Sequence, residues 1–206
     1  APVEEVASGL LPIKLGLSGL VSGIVDLSGP GLPGPEAADS LGGSLSGTVE
    51  QGSLRQSPAL KTLRSSLGLD AGSNVSFKTL THSLRIAGGK LLLDRVRGDL
   101  GKDLFEMTGS LGFDQSLDVD LLLRLAPERV KGGGMFAELA RYARDAEGRI
   151  PVDVKITGTA LAPKVSVKAS RTLEAAGSAL KRELARGLAA KAAPDSGSAN
   201  PDSLRE

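Results

Sequence analysis

The fold class of this chain is decided by the stretch Ser116-Leu-Asp-Val-Asp-Leu-Leu-Leu-Arg-Leu125. Every odd-numbered position in it is Leu or Val, and Asp118, Asp120 and Arg124 stand between them. Because side chains on a β-strand alternate between two faces, one face of this segment is aliphatic and the other is mostly polar. The pattern predicts a strand that has one covered face and one solvated face.

The same period of two recurs on both sides of this stretch. The strands expected from it are residues 44–50, 75–81, 83–87, 90–97, 104–113, 116–125, 150–157 and 164–169. Gly88-Gly89 and Asp114-Gln115 form tight turns, and short connections imply antiparallel neighbours. We therefore expect a mainly β protein with a few helices. Its antiparallel sheet, curved by many glycines, forms an open β-groove, and amphipathic helices pack at the face or ends of that sheet.

Changes in composition predict five segments. Residues 1–28 are expected to form an N-terminal β-hairpin that turns at residues 21–23, and residues 29–43 form a linker rich in Gly and Pro. The β-groove domain spans residues 44–169. Residues 170–191 are expected to form an amphipathic helix, and residues 192–206 a disordered tail.

Three helices are expected. Ser57-Pro58 supplies an N-cap and a proline at the first helical position, so a helix should run over residues 58–67 and stop at Gly68. Residues 135–147 have an apolar and a charged face, which suits a lid or plug against the sheet. Residues 171–191 combine a leucine stripe with a basic face. That helix either packs over the end of the sheet or lies on an anionic bilayer.

The amino-acid composition excludes several classes of ligand and partner. Only 2% of the 206 residues are aromatic and none is Trp, so the aliphatic face is smooth and suits a flexible hydrocarbon better than a shaped polar metabolite. The net charge of +1, without a long basic run, argues against a nucleic-acid partner. Zero Cys excludes disulfides and thiolate metal sites. No stretch is apolar enough for a transmembrane helix, and the start has no signal-peptide pattern, as expected of a processed protein or a fragment.

Few residues in the sequence are candidates for a catalytic site. Asp118 and Asp120 lie on the same face of a strand, roughly 6–7 Å apart, and paired carboxylates in glycoside hydrolases have a similar separation. That face is the solvated face of an alternating strand, so we expect ordinary surface residues there and not a catalytic pair. His82 is the single histidine, and no Gly-x-Ser-x-Gly phrase accompanies it. The glycine-rich stretches at residues 29–34 and 132–134 lack both the Lys-Ser/Thr pair of a phosphate-binding loop and the glycine spacing of a dinucleotide-binding loop. We expect no enzyme activity, no catalytic residue, no metal site and no cofactor.

Four stretches, residues 77–91, 104–113, 117–125 and 150–165, resemble the C-terminal region of the AsmA family. The most specific piece is Pro-Val-x-Val-x-Ile-x-Gly-Thr-x-x-x-Pro-Lys-Val over residues 151–165. The resemblance covers roughly residues 41–168. It implies a bridge-like lipid-transfer protein of the Gram-negative envelope, in which a periplasmic β-groove guides phospholipid acyl chains and relatives carry an inner-membrane helix.

The resemblance and the alternation together give the functional hypothesis. The chain is expected to be a non-enzymatic periplasmic protein whose apolar groove guides phospholipid acyl chains between membranes, and to associate with the inner membrane through an anchor or a partner. The alternative is a structural or adaptor subunit of an envelope assembly or secretion complex, whose envelope partner extends the sheet. Periodicity does not separate an open groove from a closed core. The expected groove lining is Leu91, Leu93, Leu111, Phe113, Leu117, Val119, Leu121, Leu123, Leu125, Val152, Val154 and Ile156.

Overall fold

The computed structural model describes residues 1–2, 16–29, 40–67, 74–129, 143–168, 177–178 and 181. The elements whose bounds are described are eight β-strands, one α-helix and a short 3-10 helix. In chain order they are β1 (Leu17–Ser28), β2 (Gly42–Leu54), α1 (Pro58–Ser66), β3 (Val75–Ala87), β4 (Lys90–Leu100), β5 (Asp103–Gly112), β6 (Ser116–Leu125), the 3-10 helix Pro127–Arg129, β7 (Ile150–Thr159) and β8 (Pro163–Lys168).

All eight strands belong to one antiparallel sheet in which the spatial order is the sequence order. Each strand pairs with the strands next to it in the chain, and β1 and β8 are the outer strands of the open sheet. Pro2 also forms an isolated bridge with Leu20 of β1. The expected fold class, a mainly β protein with a single curved antiparallel sheet and few helices, is confirmed.

Helix α1 forms where its sequence signals place it. Ser57 is the N-cap, and its Oγ accepts a hydrogen bond of 3.2 Å from the backbone N–H of Leu60. Leu63 and Leu67 are buried in the same apolar cluster as the sheet. Although α1 follows β2, it lies against β8, six strands away in the sheet order. The sheet therefore curves around its apolar face, and α1 covers part of that face.

The N-terminal strand differs from the expected hairpin. Residues 21–23 do not turn; they lie within the continuous strand β1, where Gly23 pairs with Gly47 of β2. A turn was expected because Ser22-Gly23 is a common turn pair, but the long β2 strand offers partners on both sides of this point. β1 is thus an edge strand of the main sheet. Residues 3–15 and 30–39 lie outside the described residues, and they include the start of the first hairpin strand expected at residues 13–19 and most of the linker.

Strands β3 and β4 also differ from the prediction. The stretches expected as separate strands at residues 75–81 and 83–87 form the single strand β3. In β4 the register shifts between Leu93 and Val96, so that both of these side chains are buried while Asp94 and Arg95 are exposed. A β-bulge of this kind keeps two consecutive charged residues on the solvated face.

The described end of the second expected helix, residues 143–147, differs from the prediction. Residues 143–147 are not helical, because Asp145 forms a turn: its Oδ1 accepts hydrogen bonds from the backbone N–H groups of Glu147 (3.1 Å) and Arg149 (2.8 Å). Gly148 in this turn has φ +76, a conformation that favours glycine. Residues 135–142, residues 192–206 and nearly all of residues 170–191 lie outside the described residues.

Candidate functional site: an apolar groove

The covered face of the sheet is not completely filled. A cavity of about 570 Å³ lies against it, lined by residues from β1 to β7 and by α1. Its volume is within the range of about 300–1,000 Å³ that is typical of small-molecule sites. Ala59, Leu60 and Leu63 of α1 contribute to its wall, so the helix that covers part of the sheet also bounds the groove.

Of the twelve residues that were expected to line the groove, eight line the cavity in the structure and four do not. All twelve belong to the one apolar cluster on this face. The eight that line the cavity are Leu91, Leu93, Leu111, Leu117, Val119, Leu121, Leu123 and Ile156. Phe113 packs against the cluster at its margin, whereas Leu125, Val152 and Val154 are at most 2% exposed and lie within the core. One face therefore contains both a groove and a closed core.

The half of the groove that is built by the first three strands and α1 was not predicted from the sequence. Its main residues are Leu17, Val21, Leu45, Val49, Leu54, Val75, Phe77, Leu80, His82 and Leu84. The signal was present in the alternation of Leu45 and Val49 and in that of Leu80 and Leu84. The predicted lining begins only at residue 91 and therefore omits these strands.

One row of paired residues crosses the middle of the groove. Gly23, Gly47, His82, Val96 and Met107 are successive partners on β1 to β5, and the row continues through Leu121 and Val154 to Val167 of β8. A side chain at Gly47 would collide with the carbonyl oxygen of Ser22, so the close approach of β1 and β2 requires glycine there. As a result, the wall next to His82 has no side chain.

His82 is the single ionisable side chain among the described lining residues. Its Nδ1 is buried and has no hydrogen-bond partner among the described residues. Burial in the apolar wall lowers the pKa of His82 below its ordinary value of 6.5, and the nearby carbonyl of Leu45 opposes this shift only in part. The imidazole is therefore held in its neutral form in the folded protein at neutral pH.

The lowered pKa of His82 predicts a pH dependence of stability. As the pH falls below about 6.5, the unfolded chain takes up a proton more readily than the folded chain, so the free energy of unfolding should decrease. The decrease should end once the pH is below the pKa of the folded state. Urea unfolding from pH 7.5 to pH 5 measures this effect, and His82→Phe should reduce the pH slope. An unchanged slope in that variant would assign the effect to other groups.

The opposite face of the sheet carries ion pairs between neighbouring strands. Lys155 Nζ lies 2.6 Å from Asp118 Oδ1 and 2.7 Å from Asp120 Oδ2. The hydrogen bond from Lys155 lowers the pKa of the Asp118 carboxyl. Both aspartates are more than half exposed. A general acid needs a raised pKa, so this geometry supports the solvated-face interpretation of the two aspartates.

Three more cross-strand ion pairs extend this charged surface. Arg85 donates two hydrogen bonds of 2.7 Å to the carboxylate of Asp94, which holds the pKa of Asp94 below its usual range. Arg95 and Arg97 both approach Glu106 on β5, at 3.8 and 3.4 Å. The charged side chains of the middle strands thus point away from the groove.

Comparison with protein-family models, with curated proteins and with solved structures finds no match for this chain. Within the described residues, no three acidic, His or Cys side chains come together as a metal site would require. None of the helical segments described here has the length and apolar character needed to span a bilayer.

Proposed function

We propose that this protein binds phospholipid acyl chains in its apolar groove, as an AsmA-like segment of a lipid conduit on the periplasmic side of the Gram-negative envelope. The observation that carries the proposal is the cavity itself: its volume is about 570 Å³, and its described lining is almost wholly aliphatic. The alternation of the strands and the AsmA-like phrase at residues 151–165 support it.

The lining indicates which part of a lipid the groove would recognise. Burial of a hydrocarbon chain contributes about 0.8 kcal/mol per methylene group, and this contribution does not depend on the head group. Among the described lining residues there is no Lys, Arg, Asp or Glu that could select a phosphate or an amine. We therefore expect broad binding of acyl lipids with little head-group preference.

Native mass spectrometry tests the proposal directly. The full chain, exported to the periplasm and purified in a mild detergent, should carry phospholipid. Leu84→Gln places an amide on the groove wall at a partly buried position and should reduce lipid retention several-fold. Arg85→Gln changes the adjacent residue on the outer face and should leave retention unchanged. Protein that is folded but free of lipid would contradict the proposal.

The first edge of the sheet favours a second candidate function, an adaptor that accepts a strand from an envelope partner. Ile24 is 74% exposed and Val25 is 48% exposed on β1, and apolar edge strands promote pairing with other chains. Cross-linking in cells should then recover a neighbouring envelope protein. Ile24→Lys should weaken that cross-link, because a charged lysine on an edge strand opposes pairing. An undiminished cross-link in the variant would place the contact elsewhere.

A further inference from the structure

The exposed part of the cavity lining lies on β1. Val25 is 48% exposed and Ile24 is 74% exposed, and both residues line the cavity. Leu121, which lines it from β6, is only 5% exposed. On β7 the covered face is closed, because Val152 and Val154 are at most 2% exposed and do not line the cavity. The cavity is therefore open at β1 and closed on its far side, against β7.

A row of paired residues leads from β1 into the cavity. Val25 pairs with Leu45, and six strand spacings of about 4.8 Å separate β1 from β7, so the path along the sheet is roughly 29 Å. One leaflet of a bilayer has a hydrocarbon thickness of about 15 Å, so one acyl chain fits within this path. After Leu45, the successive partners are Leu84, Leu93, Gly109, Val119 and Ile156, all of which except Gly109 line the cavity.

The other outer strand, β8, is less suited to admit a hydrocarbon chain. It carries Lys164 and Lys168, and a charged lysine is costly to place against hydrocarbon. Helix α1 lies against β8, and none of the described lining residues belongs to that strand. In contrast, β1 and β2 contain no Lys or Arg. A hydrocarbon chain that passes over β1 therefore meets no cationic side chain from these two strands.

We infer that an acyl chain enters the groove over β1 with its terminal methyl group first, and that the ester and the head group remain at Ile24 and Val25. This inference rests on the proposed function, because it gives the direction of the same bound lipid. Burial of a polar ester or a charged head group costs free energy unless protein groups bind it, whereas burial of methylene groups is favourable. The closed side thus suits the end of the chain, and the exposed side suits the groups that stay in water.

Fluorescence quenching by labelled lipids tests this direction. The chain contains no Trp, so one introduced Trp reports on one position. Val25→Trp places it on the exposed strand, and Met107→Trp places it at a partly buried lining position on β5. The full chain is loaded with phosphatidylcholine that carries a nitroxide quencher either near the ester or near the terminal methyl group. Val25→Trp should lose most of its fluorescence to the first lipid and little to the second, and Met107→Trp should show the opposite order.

Leu122→Trp is the control, because Leu122 lies on the outer face, and neither lipid should quench it. If Met107→Trp does not give a cooperative thermal transition, Leu117→Trp on β6 replaces it, since Leu117 is also a partly buried lining residue. Any other order of quenching at either groove position would overturn the inference and leave the proposed function standing. Absence of quenching at both groove positions, or equal quenching of Leu122→Trp, would overturn both.

Discussion

Val154→Asp is expected to lower the free energy of unfolding by about 3–5 kcal/mol, because it leaves an unpaired charge in a closed core. Val154 is 2% exposed, does not line the cavity, and lies between Leu121 of β6 and Val167 of β8. No described cation faces this position from the neighbouring strands, since Lys155 points to the outer face. Urea unfolding followed by circular dichroism measures the loss.

The control for this variant is Leu122→Lys. Leu122 lies on the outer face, paired with Glu106 of β5 and Asp153 of β7, where a lysine meets acidic neighbours and water. Its effect on the free energy of unfolding should stay below about 1 kcal/mol. If the two variants unfold at the same urea concentration, the assignment of Val154 to a closed core is wrong.

Leu121→Asp should have its main effect on lipid binding. Leu121 is paired with Val154 in the same row and is itself only 5% exposed, but it lines the cavity, so a carboxylate there would border open space and not packed side chains alone. We therefore expect a smaller loss of stability than in Val154→Asp, about 1–2 kcal/mol, and loss of most bound phospholipid. The measurements are urea unfolding and native mass spectrometry of the same preparation.

The comparison of the two variants discriminates a groove from a sealed core. Equal destabilisation, together with lipid retention equal to that of the unaltered chain, would show that Leu121 is a core residue and that the groove is not the binding site. A loss of lipid without a large loss of stability would support the proposed function. An effect on neither property would contradict the position of both residues on the covered face.

Much of the fold could be predicted from local patterns. The strand Ser116–Leu125 was predicted with its exact observed bounds, and α1 with its N-cap, because alternation and a Ser-Pro pair act over a few residues. The strict period of two failed at β4. There, alternation from Leu93 would place Arg95 inside and Val96 outside, and only a β-bulge avoids burying the charge.

The candidate site was harder to predict than the strands. Alternation identifies the covered face, but it does not show that Leu121 borders empty space while Val154 does not. That distinction depends on where α1 returns across the curved sheet to lie against β8, a contact between segments about a hundred residues apart. Alternation with Leu80 and Leu84 places His82 on the covered face, but its place within the groove depends on its pairing with Gly47 and Val96, which alternation does not specify.

The sequential order of the eight strands has a consequence for how such a protein can evolve. Every strand pairs only with its neighbours in the chain, so duplication of one hairpin would insert two strands while breaking a single existing pair. Neighbouring strands lie about 4.8 Å apart, and each duplication would therefore widen the sheet by roughly 10 Å. Homologues of different length could thus arise by whole-hairpin steps, each retaining the alternation of aliphatic and polar residues from its parent.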